Sequence, residues 1–298
     1  MRTVWGLGEV LLDVIFKENS PIGANPGGSV LNALVTLSRI GQKTSLISEI
    51  GNDKVGQLIL NFLSKNKIDV SYLYQHSDGA TTLAVAFLNE HNDATYKFYK
   101  NQPTERFAVS LPSIKEEDLF LFGSSLSINQ VVRDKITPII NTANNSNAII
   151  IYDPNCRQNH TNNPLVLNLI KENFRSSSLV RCSDEDLRAI FGKIPLEEAI
   201  NQAQEWCKNI IVTQNSSSVI AHFGANRYEM GVEKIEVVNT IGAGDNFNAG
   251  IINSILAQNI TKRELTTLTT QQVNNILKCG IEFSREVCLS TENYIALR

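Results

Sequence analysis

The spacing of apolar residues changes several times along this chain, and each change marks an element. Thr3 to Leu12 is a nearly unbroken apolar run, the pattern of a strand buried on both faces, and it closes on Asp13. A charged side chain at the carboxyl end of such a strand faces either a crevice or solvent. The glycine- and proline-rich stretch Pro21-Ile22-Gly23-Ala24-Asn25-Pro26-Gly27-Gly28 reads as a loop. It feeds a helix with Leu31, Leu34, Val35 and Leu37 inward, Asn32 in its first turn and a stop at Gly41. Thr44 to Ile50 is again a strand, and Gly51-Asn52-Asp53 caps a helix carrying Val55, Leu58, Ile59, Phe62 and Leu63. This alternation predicts a parallel sheet.

The period then drops to two. Thr81 to Asn89 and Ala94 to Lys100 flank His91-Asn92-Asp93 and predict an antiparallel hairpin, either a flap over a cleft or an edge of the main sheet. Alternation resumes with a strand at Leu119 to Phe122, a helix at Gln130 to Thr142, and a strand at Ala148 to Tyr152 that closes on Asp153-Pro154-Asn155-Cys156-Arg157. Leu179 to Cys182 is the next strand and Ser183-Asp184-Glu185-Asp186 an N-capping run. Asn209 to Thr213 is a strand, Val219 to Phe223 and Asn226 to Met230 a second hairpin, and Val273 to Val287 a last helix.

The chemistry concentrates in Val237-Val238-Asn239-Thr240-Ile241-Gly242-Ala243-Gly244-Asp245-Asn246-Phe247. Gly242 and Gly244 allow a tight turn. Phe247, Ile251 and Ile255 recur at helical spacing, so a helix begins near Ala243. The free N–H groups and positive dipole end of a helix N-terminus attract an anion. Asp245 lies in that first turn, where it is either a base for a hydroxyl proton or a carboxylate offsetting the dipole. A dinucleotide fingerprint does not fit, because Phe247 stands where the third glycine belongs.

Composition narrows the field. The chain has 298 residues, a net charge of −3 and an ordinary apolar content of 42%. Its pI of about 5.9 does not favour nucleic acid or an anionic membrane surface. No apolar run is long enough to span a bilayer and Met1 to Gly6 runs straight into a strand, so a cytoplasmic protein without a signal peptide is expected. Cys156, Cys182, Cys207, Cys279 and Cys288 lack a C-x-x-C pair and read as reduced thiols. His76, His91, His160 and His222 lack ligand spacing and read as surface or loop residues.

Asn239-Thr240-Ile241-Gly242-Ala243-Gly244-Asp245 closely resembles the C-terminal signature of the ribokinase-like (PfkB) family of carbohydrate kinases. Gly27-Gly28-Ser29-Val30-Leu31-Asn32-Ala33 resembles that family's N-terminal sugar-binding segment. Phe98-Tyr99-Lys100-Asn101 and Asp153-Pro154-Asn155-Cys156-Arg157 are similar to segments of its fructokinase and 2-keto-3-deoxygluconate kinase branch, with Lys100 in place of arginine. The resemblance implies an α/β ribokinase-like fold: one domain over 1–298, a mainly parallel central sheet flanked by helices, and a small β-sheet lid from segments of about 14–26 and 80–104. It implies ATP-dependent phosphorylation of a sugar hydroxyl, with Asp245 as general base and the Gly242–Ala243–Gly244 turn as anion hole. Asp13, Gly27, Gly28, Asn32, Phe98, Lys100 and Arg157 would bind the sugar. Asn155, Ser183, Asp186, Thr213 and Asn215, with Gly242 and Gly244, would bind the nucleotide, accompanied by Mg2+. A potassium ion near Asn239 and a homodimer through the lid also belong to the implied picture.

Besides Lys100, and Ser183-x-x-Asp186 where the family often has Asn-x-x-Glu, the chain departs from the family at three further places. Thr213-Gln214-Asn215-Ser216-Ser217-Ser218 lacks the two glycines usual after the threonine, although asparagine tolerates positive φ. Asn239 replaces an aspartate, and the usual Gly-Ala near the C-terminus is absent from Cys288-Leu289-Ser290-Thr291. Three readings therefore stay open: a fructokinase-like kinase, a 2-keto-3-deoxygluconate or nucleoside kinase of the same family, and a sugar-binding or sensing protein with weakened catalysis.

Overall fold

The structure is a computed structural model and describes residues 2–88, 94–156 and 163–297. Strands β1 (Thr3–Leu7), β4 (Lys43–Gly51), β5 (Asp69–His76), β8 (Leu119–Gly123), β9 (Ile149–Asp153), β10 (Leu179–Ser183) and β11 (Ile210–Gln214) form a parallel sheet. β12 (Ser218–Phe223) and β13 (Asn226–Gly231) extend it antiparallel, giving the order β13-β12-β11-β10-β9-β8-β1-β4-β5. Alternating residues of the central strands feed two cores. Val4, Leu119, Leu121, Ile149 and Ile151 pack against α1 (Ser29–Arg39), α2 (Lys54–Lys65), α8 (Ala243–Ala257) and α9 (Thr270–Cys288). Trp5, Phe120, Phe122, Ile150 and Tyr152 pack against α4 (Arg133–Asn145), α5 (Pro164–Arg175), α6 (Asp184–Phe191) and α7 (Leu196–Gln204), while α3 (Ser124–Ser127) follows β8 directly. Covering both faces explains why these strands read as unbroken apolar runs.

A second, four-stranded sheet has the order β3-β2-β6-β7, from β2 (Leu11–Lys17), β3 (Ser20–Gly27), β6 (Ala80–Leu88) and β7 (Ala94–Asn101). Two expectations change here. The apolar run Thr3 to Leu12 is not one strand: it leaves the main sheet at Gly8 and Leu11 onward enters the small one. A Cβ at Gly8 would lie 2.6 Å from Val30, so helix α1 packs against bare backbone where the chain bends. The glycine- and proline-rich stretch is strand β3 rather than a loop, and an edge position is where a strand tolerates proline. The paired strands of the predicted hairpin are β6 and β7, while His91-Asn92-Asp93 lies outside the described residues.

Smaller differences follow from local chemistry. Strand β5 is polar on its outward positions, lacks a clear period and is invisible in the sequence; it buries His76, which is 4% exposed rather than at the surface. His222 is half-buried on β12, and His160 lies outside the described residues. The helix expected from Gln130 begins at Arg133, and the last helix begins at Thr270, capped by Thr269 and Gln272 in a reciprocal box. All five cysteines are free thiols. No described helix is long and apolar enough to cross a membrane.

Helix α8 crosses α9 closely enough that a Cβ at Gly250 would sit 2.4 Å from the Cys279 carbonyl oxygen. The Gly250→Ala variant is expected to lose about 1–3 kcal/mol of stability, because backbone rather than a flexible side chain must yield. Urea unfolding checks this; an unchanged midpoint would show that the two helices separate freely.

Candidate active site

The glycine turn forms as its residues dictate. Gly242 adopts φ 81°, and a Cβ there would lie 2.4 Å from the Asn293 carbonyl oxygen. The Asn239 Oδ1 accepts the Ile241 N–H at 3.0 Å and shapes the approach. Asn246 donates from Nδ2 to the carbonyls of Gly242 and Asn293, both at 2.8 Å, closing the turn from beneath. Helix α8 starts at Ala243, as its periodicity predicts. The Ala243 N–H is donated to the Thr240 carbonyl at 3.2 Å, so within the expected trio the amides of Gly242 and Gly244 are the ones suited to an anion.

Asp245 meets the other glycine-led helix. Ser29 donates from Oγ to Asp245 Oδ1 at 2.6 Å, and Asn32 from Nδ2 to Oδ2 at 2.8 Å. Burial pushes the Asp245 carboxyl up to about 6, against these two hydrogen bonds, which favour the ionised form. The Asn32 Oδ1 is buried without a partner and therefore keeps an open acceptor beside the carboxylate. Gly28 has φ 135° and would clash with the Glu9 carbonyl oxygen, 2.1 Å away, if it carried a Cβ.

These groups line a cleft of about 740 Å³ along the carboxyl ends of the parallel strands, beneath the small sheet. Asp13, Gly28, Asn32, Asn155, Ser183, Asp186, Gly242, Gly244 and Asp245 all border it, and Phe98 and Lys100 face it from β7. Gly27 does not line it. Its missing Cβ leaves room for the Asp13 carboxylate, whose Oδ2 would be 2.0 Å from such an atom. A second cleft of about 840 Å³ adjoins the first and is walled by Thr213, Asn215, Val219, Phe247 and Ile281. Asn215 does adopt positive φ, 49°, at the turn that lacks a glycine.

The expected nucleotide residues are therefore divided. Thr213 and Asn215 border the second cleft and Ser183 both, whereas Asn155 and Asp186 border the first. The Asp186 carboxylate is engaged in the fold: Oδ2 accepts the Ser183 N–H and Oγ–H, both at 2.7 Å, and Oδ1 the Cys156 N–H at 2.6 Å. Burial and the nearby Asp153 raise its pKa. Arg157 lies outside the described residues.

The structure adds residues that the pattern did not single out. Arg181 borders both clefts, donating from Nη1 to Asp153 Oδ2 at 3.0 Å and from Nη2 to Thr213 Oγ1 at 2.8 Å. Burial alone would lower its pKa, but Asp153 and Asp186 outweigh that and hold it above the ordinary value. Asn248 donates to the same Asp153 oxygen at 2.6 Å. Glu9 and Ser29 also border the first cleft, as does Tyr96, which the alternation along β7 already places on one face with Phe98 and Lys100. Arg181 carries a usable signal, a lone charge within the apolar run Leu179 to Cys182; Glu9 and Ser29 carry none beyond adjacency to glycine. No cluster of three or more His, Cys, Asp or Glu suited to a metal occurs among the described residues.

Comparison with known proteins identifies the family. A fructokinase of Rhizobium leguminosarum bv. trifolii is 27% identical over 90% of this chain and 84% of its own length. The structure of a fructokinase from Vibrio cholerae O395 with fructose, ADP and calcium ion superposes with a TM-score of 0.85 at 19% identity, over 100% of this chain and 96% of that one. Aminoimidazole riboside kinase from Salmonella enterica, complexed with aminoimidazole riboside and an ATP analog, gives 0.82 at 19% identity, over 99% and 96%. The family model described as pfkB family carbohydrate kinase matches residues 4–291, and the chain belongs to that family.

Proposed function

We propose that this protein transfers a phosphoryl group from ATP to a hydroxyl of a sugar, with the ketohexose fructose as the leading candidate. The observation that carries the reading is the position of Asp245, in the first turn of α8, bordering the first cleft and next to Gly244, which borders both. The first cleft takes the sugar and the second the nucleotide. Asp245 accepts the hydroxyl proton as the sugar oxygen bonds to the terminal phosphorus and the bond to ADP breaks. The Gly242 and Gly244 amides hold the charge on the transferring group, and Arg181 places a fixed positive charge at the junction. Magnesium bound to the nucleotide phosphates would neutralise their charge.

The small sheet is the lid in this reading. Residues in register share a face, so Asp13, Ala84 and Phe98 lie together towards the cleft. The alternate positions Val14, Phe16, Val85 and Phe87 form an apolar outer face, with Phe87 46% exposed, which supports a homodimer through the lid. The likeness to a riboside kinase keeps a nucleoside substrate as the second reading. Positive φ at Asn215 supplies the turn that the missing glycines put in question, which weakens the case for a non-catalytic sugar-binding protein.

A coupled ADP-release assay with fructose, ribose, tagatose, 2-keto-3-deoxygluconate, adenosine and inosine is expected to show turnover on a ketose. Silence with every acceptor would remove the kinase reading. Asp245→Asn is expected to keep the fold and sugar binding and to lose at least ~10²-fold in turnover; near-normal turnover would dismiss Asp245 as the base.

The raised Asp245 pKa gives two further outcomes. The acid limb of kcat/KM should fall near pH 6. Ser29→Ala removes a hydrogen bond to the carboxylate and should move that limb to higher pH, whereas a limb that stays put would detach it from Asp245. The folded value lies above the ordinary 3.8, so the proton bound by Asp245 stabilises the fold below that value. That stability is lost as pH rises through about 6. At pH 7, Asp245→Asn should thus unfold at no lower urea concentration than the parent chain.

A further inference from the structure

The end of the first cleft nearest the small sheet carries an ion pair that the proposed mechanism does not use. Lys100 Nζ, on β7, lies 3.1 Å from Glu9 Oε1, in the bend between β1 and β2. The other Glu9 oxygen accepts the Ser125 Oγ–H, which anchors the carboxylate to the start of α3. Lys100 also stands 5.5 Å over the Phe98 ring. The pair is 38% and 27% exposed, so a bound molecule can reach it. Among the described residues bordering the cleft, the basic side chains are Lys100 and Arg181, and Arg181 is held by Asp153 and Thr213. Carboxylates outnumber them.

Resting on the assignment of this cleft to the acceptor, we infer that Glu9 is a specificity-determining residue that makes the site select neutral polyols over sugar acids. A sugar carboxylate reaching Lys100 finds its charge already matched and meets the Glu9 carboxylate beside it. A neutral sugar meets polar groups for its hydroxyls and the Phe98 ring for its C–H face. Discrimination of this kind comes from a repulsive element built against the competitor.

The test is calorimetric binding of fructose and gluconate, with kinase rates on fructose and 2-keto-3-deoxygluconate, for the parent chain and for Glu9→Gln. The variant keeps the shape and one acceptor for Lys100, its amide nitrogen donating to Ser125 Oγ in place of the second acceptor, while freeing the Lys100 charge. Its acid-to-neutral preference should rise ~10-fold or more, and the gain should shrink with added salt. The double variant Glu9→Gln with Lys100→Met should lose that gain. Lys100→Met alone leaves Glu9 uncompensated and should move the preference further from the acid, a readout that stands if Glu9→Gln fails to fold. An unchanged preference in Glu9→Gln, or a gain that survives in the double variant, overturns the inference. A shift in binding preference without turnover on any sugar would support it while removing the kinase reading. Failure of the parent chain to bind either sugar would overturn both.

Discussion

One carboxylate ties the molecule's two halves together. Asp245 accepts hydrogen bonds from Ser29 and Asn32, residues 216 and 213 positions away, so the first turns of α1 and α8 must lie side by side. Each of these helices begins at a glycine with positive φ, and each glycine faces backbone where a Cβ would clash. The two missing methyl groups let the start of α1 sit against the Glu9 carbonyl and the start of α8 against the Asn293 carbonyl. The cost is a carboxylate held where burial makes it ionise reluctantly.

Beneath this contact lies a polar floor. Asp153 receives Arg181 and Asn248 at one oxygen and the Asn155 N–H at the other, while Arg181 continues to Thr213. These groups come from β9 and the residues just after it, β10, β11 and α8. A buried network of this kind fixes the relative placement of the elements that contribute to it, because leaving any member unpaired is costly. It also means that the boundary between the two clefts is rigid, while the small sheet above is attached through the bend at Gly8 to Val10 and the ends of β3, β6 and β7.

Much of this is legible in the amino-acid order, and the exceptions have physical reasons. The start of α8 is readable because the glycines and the spacing of Phe247, Ile251 and Ile255 agree. The division of the first apolar run is not, because burial alone does not say which sheet buries a residue; the bend at Gly8 is set by contact with Val30. Strand β3 is hidden by its prolines, which an edge strand accommodates and a sequence pattern reads as loop. The role of Asn32 is readable as polar and site-facing, but its bond to Asp245 depends on a distant partner. Arg181 is visible as an anomaly, a charge in a buried run, and its meaning depends on three strands and a helix meeting around it.

The segment around Asn293 lends this architecture a temporal dimension. Its carbonyl closes the glycine turn through Asn246, and the neighbouring Ile295 N–H is donated to Thr36 Oγ1 at 3.0 Å. During vectorial synthesis, a chain that has emerged as far as α8 already holds Asp245 and the strands of both sheets. It lacks the cover that pins Gly242. Ring closure over so many residues adds little entropic penalty beyond that of a shorter loop, yet it cannot precede the arrival of the segment itself. A chain that ends before this segment therefore lacks the Asn293 carbonyl that, through Asn246, closes the turn at Gly242.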